Sequence, residues 1–193
     1  MKRHFLKNGL KHYALGMALM ASMAVNAGDF TPKNPMTMWY DVPSTATGVK
    51  NVWMEYSLPI GNGQLGGSLF GGVHKDEIQF NEKTLWTGKT SDMQGYGGGY
   101  GQYKNFGSIF VEDLSGVFQP GKDGEVKDYV RSLDLLEGVG RVQFASAEHM
   151  TSYDRTYIVS NPDKVMAVRY VATGKKKLHL LFSYVPGKDI NAS

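Results

Sequence analysis

The 193-residue chain contains no cysteine, which excludes disulfide bridges and thiolate-bound metals. Beyond residue 27 it has three histidines, His74, His149 and His179, far apart and without HxxxH or HxH spacing, so no metal site is expected. No GxSxG occurs, so the serine-nucleophile elbow is absent. No window keeps a helical period over ten or more residues. The one long apolar run, Tyr13–Val25, falls short of the roughly 20 residues that cross a bilayer.

That run has another reading. Lys2, Arg3, Lys7 and Lys11 precede it without an acid, and Val25 and Ala27 place small residues at −3 and −1 of a cleavage site. Residues 1–27 are therefore expected to be a signal peptide, and the protein to be exported, periplasmic or extracellular. The net charge of +3 belongs to this segment: without its four basic residues, 17 Lys+Arg face 18 Asp+Glu. Neither a nucleic-acid partner nor an anionic membrane surface is implied. The remaining 166 residues are enough to bury a core without disulfides.

Residues 28–50 carry Pro32, Pro35 and Pro43 and read as an extended lead-in, with only Met38-Trp39-Tyr40 expected to pack. Residues 51–193 read as short strands, beginning at Val52. Leu65–Val73 and Glu77–Asn81 flank a polar turn at His74-Lys75-Asp76. Ile109–Val111, Arg141–Ala145, Thr151–Val159, Val165–Val171 and Leu178–Val185 follow, separated by Gly, Asn-Pro and Thr-Gly signals. In the last of these, Leu178, Leu180, Phe182 and Tyr184 share one face, as in a half-buried strand. Glu125–Leu136 fits a helix face or a strand equally. The fold class is all-β, an antiparallel β-sandwich. Gly95–Tyr103 is a tyrosine-glycine stretch that reads as a sugar-stacking loop or a plain surface loop.

Gly61, Gly63 and Gly66 spell GxGxxG, but a dinucleotide site needs a helix directly after it. Gly66, Gly67, Gly71 and Gly72 would each cost such a helix about 1 kcal/mol relative to alanine. Strand-turn-strand fits better, with Asn62-Gly63 as a two-residue turn. No nucleotide or other cofactor is expected. Among carboxylates, Asp76 and Glu77 sit at the polar turn and read as solvated. Glu82 differs, because Asn81, Glu82, Thr84 and Trp86 group amide, acid, hydroxyl and indole as a sugar cleft does. A turn with a core tryptophan has the same signature.

Several ordered motifs resemble the amino-terminal domain of the α-L-fucosidases of glycoside hydrolase family 95. They are Trp53-Met54-Glu55, Leu58-Pro59-Ile60-Gly61-Asn62-Gly63-Gln64-Leu65-Gly66, Phe70-Gly71-Gly72-Val73 and Ile78–Gly88. Tyr103–Ile109, Tyr129-Val130-Arg131-Ser132-Leu133-Asp134-Leu135, Tyr153-Asp154-Arg155 and Asn161–Val165 continue the likeness, which covers Met38 to Tyr184. It implies a supersandwich, incomplete within these residues, ahead of a helical (α/α)6 barrel. Its activity would be inverting, exo-acting removal of terminal α-L-fucose, or of L-galactose, from glycans. The catalytic residues would lie in the barrel, so none is assigned in this chain. The resemblance also favours strand over helix at Tyr129–Leu135, and turns Asn81, Glu82 and Trp86 toward the barrel's cleft. The expected partners are a fucosylated oligosaccharide and the barrel of the same polypeptide. The alternative is a stand-alone carbohydrate-binding sandwich.

Overall fold

A computed structural model describes residues 30–87 and 102–187. The expected signal peptide and the Gly95–Gly101 part of the tyrosine-glycine stretch lie outside the described residues.

The order is β1 (Thr37–Tyr40), helix α1 (Val52–Glu55), β2 (Leu58–Gly61), β3 (Leu65–Leu69), β4 (Lys75–Glu82), β5 (Trp86–Thr87) and β6 (Gln102–Tyr103). Then follow β7 (Gly107–Asp113), β8 (Lys127–Asp134), β9 (Val139–Ser146), β10 (Thr151–Ser160), β11 (Val165–Gly174) and β12 (Leu180–Pro186). Two five-stranded sheets form, β1-β8-β9-β10-β11 and β12-β7-β4-β3-β2, with β5-β6 as a separate ribbon. Every described pairing is antiparallel. The fold is an all-β sandwich. Its core joins Leu58, Leu69, Val73 and Ile78 of one sheet region to Tyr129, Leu133, Val142, Phe144, Tyr153 and Tyr157 of the other. Phe118 closes one end edge-on against Phe144 and Tyr153.

Alternation explains most of this. In β9, Val142 and Phe144 are buried while Arg141 and Gln143 are exposed. In β10, Thr151, Tyr153, Arg155 and Tyr157 all point inward. The same rule places Tyr129, Arg131 and Leu133 inward in β8, so residues 125–136 contain a strand. Its period was hidden because a charged residue occupies an inward slot, and because the register slips between Lys127 and Val130, where Asp128 has a φ of 54°.

Four local expectations are corrected. Residues 52–55 form a single helical turn rather than strand, since the Asn51 side chain accepts the Met54 N–H at 3.2 Å and caps it. The β2–β3 turn is centred one residue later than Asn62-Gly63. The Asn62 N–H bonds the Leu65 carbonyl at 3.0 Å, and Gly63 takes the first central position with a φ of 84°. The lead-in packs beyond Met38-Trp39-Tyr40: Pro43 and Ser44 are buried, while Met38 and Trp39 are exposed in edge strand β1. Finally, β12 has the expected period but not the burial. Leu180, Phe182 and Tyr184 lie on the core-side face, aligned with Asp113, Val111 and Ile109 of β7, yet Phe182 is 62% and Tyr184 48% exposed.

The β3–β4 connection is buried from Phe70 to Val73 without being strand, and His74 after it is half-buried. A buried loop needs partners for its polar backbone. Here five consecutive carbonyls are each bound by a distant side chain. Arg131 donates to Leu69 at 3.0 Å, Ser44 to Phe70 at 2.5 Å, Tyr129 to Gly71 at 2.7 Å, and Arg155 to both Gly72 and Val73. Asp123 accepts the Val73 and His74 N–H groups, each at 3.1 Å. Gly71 has a φ of 67°, and an added Cβ would stand 2.5 Å from the Tyr129 hydroxyl.

Candidate functional site

Asp76 corrects the sequence reading most sharply. It is not solvated at a turn; it points inward from β4 and is 1% exposed. Its Oδ2 accepts hydroxyl hydrogen bonds from Tyr157 at 2.5 Å and Tyr170 at 2.8 Å, with Arg155 3.8 Å away. Burial, then the Asp76 charge, raises the ionisation of both phenols above the ordinary value of 10.0. Burial works against the Arg155 charge, but Asp76 and the surrounding tyrosines outweigh it. Arg131 has a lowered pKa, first because it is desolvated. The cluster is sealed between the sheets. It can hold the sheets and the β3–β4 connection in register, but no substrate reaches it.

Glu77 also sits in β4, on the outer face, where its Oε1 accepts the Ser108 hydroxyl at 2.8 Å. Glu82 is five residues further on, so alternation turns it to the opposite side from Glu77. At about 3.3 Å per residue the two lie roughly 16 Å apart, against the ~5–9.5 Å that glycoside hydrolysis asks of a carboxyl pair. They are not a catalytic pair. Glu82 is also poorly suited to donate a proton. Its Oε2 accepts the Thr84 N–H at 2.8 Å and the Thr84 hydroxyl, and these bonds lower its pKa below the ordinary value of 4.5.

Asn81 and Glu82 border an open concavity of about 300 Å³ with Gly61, Gly63, Gln64, Leu65, Gly66 and Lys83. The hairpin tip forms one wall, fixed where Asn62 Oδ1 accepts the Gln64 and Leu65 N–H groups and Asn62 Nδ2 donates to the Ser160 carbonyl at 2.6 Å. Asn81, on the outer face of β4, and Glu82, on the other, therefore meet the same concavity from different sides of the strand. Trp86 begins β5, paired with Tyr103. Among the described residues no group of three His, Asp or Glu side chains could hold a metal. His74 instead meets Glu112 at 3.4 Å.

A larger recess lies on the outer face of the β4-β7 region. It encloses about 350 Å³ and is floored by Phe70 and Phe110, with Lys75, Glu77, the Thr45-Ala46 turn and the Pro120–Gly124 turn around it. No local pattern marks it, because its lining comes from four separated segments.

The family described as "Glycosyl hydrolase family 65, N-terminal domain" matches residues 38–99 and 89–189. The chain is 27% identical over 165 residues to the Alpha-L-fucosidase 2 of Arabidopsis thaliana, an alignment that covers 72% of this chain. The chain spans 19% of that relative's length. The matched residues take in both sheets, the hairpin, the buried connection and the Asp76 cluster. The chain belongs to the family of glycosyl hydrolase family 65 N-terminal domains.

Proposed function

We propose that this chain is the amino-terminal sandwich of an exported, exo-acting, inverting glycoside hydrolase of the family 95 type. It removes terminal α-L-fucose, or L-galactose, from glycans. Residues 1–27 direct export, and catalysis belongs to a helical barrel that follows in the same polypeptide. The sandwich holds that barrel, and Asn81, Glu82 and Trp86 face its cleft. The observation that carries this reading is the family match together with the likeness to a fucosidase of which the chain spans 19% of the length. Two features support it. Glu77 and Glu82 cannot act as a carboxyl pair, and the Asp76 cluster is closed to substrate. The bare core-side face of β12 supports an incomplete sandwich, which further chain would extend.

The test is release of nitrophenol from 4-nitrophenyl α-L-fucoside. Residues 28–193 alone should give no turnover, and a polypeptide carrying them ahead of the barrel should be active. In that longer protein Glu82→Ala and Trp86→Ala should lower kcat/KM by about tenfold or more, the scale of a lost charged hydrogen bond. Turnover by 28–193, or variants with unchanged kinetics, would overturn the assignment.

A further inference from the structure

We propose that the recess on the outer face of β4 and β7 is a sugar-binding site that takes the ring of a 6-deoxyhexose, an L-fucosyl unit. The choice of fucose rests on the proposed function; the recess itself rests on geometry. Its floor is aromatic, from Phe70 and Phe110. Thr45, His74 and Asp123 on its lining are engaged within the protein, which leaves Lys75 and Glu77, at adjacent outward positions of β4, as its polar groups for a ligand. Lys75 Nζ lies 4.5 Å from the centre of the Phe110 ring and has no carboxylate partner among the described residues. Glu77 stands directly across from Phe110 in the strand register and uses one oxygen on Ser108. The other oxygen has no protein donor among the described residues. An ammonium donor seated over the Phe110 ring and a carboxylate acceptor beside it suit the hydroxyls of one pyranose, and the rest of the aromatic floor suits its apolar side. A 6-deoxy sugar suits the floor better than its hydroxylated counterpart, because its methyl group asks nothing of Phe70 or Phe110, whereas a buried hydroxyl there would lack a partner.

The walls are preformed. Asp123 Oδ2 accepts the Thr45 hydroxyl at 2.6 Å and the Val73 N–H at 3.1 Å, tying the two wall turns to the buried connection. A Cβ at Gly124 would come within 3.4 Å of the Ala46 Cβ, so these turns already touch. A site built this way loses little freedom when a ligand enters. The same outer face of β4 continues through Gln79 to Asn81, so a glycan held in the recess has a polar track toward the hairpin concavity.

Isothermal titration of the full chain tests this with methyl α-L-fucoside and methyl α-L-galactoside. The fucoside should bind, and the galactoside should bind about tenfold more weakly, the discrimination a hydrophobic pocket gives over one group. Glu77→Gln and Phe110→Ala should each weaken the fucoside about tenfold, the scale of a charged hydrogen bond or an aromatic contact. Thermal melting of each variant shows that it is folded, and Lys75→Gln provides a second, fully surface-borne variant expected to weaken binding likewise. No binding by the folded chain, equal binding of the two sugars, or variants that bind like the parent would overturn the proposal. Because the readout is binding, it stands or falls separately from hydrolysis: absent turnover by the longer polypeptide that carries the barrel, with intact fucoside binding by this chain, removes the enzyme reading and leaves the site.

Discussion

The middle of the sandwich and its β11–β12 flank are built from similar residues to opposite effect. In the middle, Tyr129, Tyr157, Arg131, Arg155 and Asp76 are almost wholly out of water, and each is bound across the sheets. At the flank, Phe182 and Tyr184 face the same way but remain half bare. Phe182 meets Tyr170 edge-on at 6.4 Å, and the Tyr184 hydroxyl reaches the Phe106 carbonyl at 2.7 Å. Aromatic content alone therefore does not make a core. What distinguishes the middle is a second sheet opposite every side chain, and polar partners for each charge that is taken inside.

The strongest way to break the contrast is to remove the central carboxylate. Asp76→Ala leaves Arg155 buried without its counter-charge and should cost about 3–5 kcal/mol in urea unfolding, whereas a loss under 1 kcal/mol would show that the cluster is incidental. Alkaline titration comes next. Tyr129, Tyr157 and Tyr170 have folded pKa values raised above 10.0, so their contribution is complete below pH 10.0 and is lost as pH rises past it. Each phenol held neutral should cost about 1.4 kcal/mol per pH unit above that point. Phenolate absorbance should then appear together with unfolding; ionisation at the ordinary value in the folded chain would contradict this. The flank should respond least. Phe182→Thr should shift stability by no more than about 0.5 kcal/mol while reducing self-association in light scattering. A loss above 2 kcal/mol would mean that β12 is packed after all.

Sequence reasoning recovered the sheets wherever the inward positions were apolar, as in β9 with Val142 and Phe144. It stumbled at two inward charges, Arg131 and Asp76, while β10 stayed legible around Arg155 because Tyr153 and Tyr157 flank it. Arg131 made β8 resemble a helix, and Asp76 made the start of β4 resemble a turn. Burial of a charge depends on partners some 80 residues away, and spacing within a segment holds no trace of them. The motif residues that signalled the family, Phe70–Val73, Tyr129, Arg131 and Arg155, converge on the buried connection. They are legible as a signature because together they make the architecture. The hairpin concavity was partly readable, through Asn81 and Glu82, whereas the recess at Phe70 and Phe110 was not.

The buried connection also sets a schedule for the chain's birth. Its carbonyls wait for Ser44, already made, but also for Tyr129, Arg131 and Arg155, with the last partner 83 residues downstream of Gly72. At about 5–20 residues per second, roughly 4–17 s separate synthesis of Gly72 from that of Arg155. Throughout that interval the β2–β3 hairpin can form locally, but residues 69–73 must stay hydrated, so the segment that looks most fixed in the finished molecule is among the last to be closed.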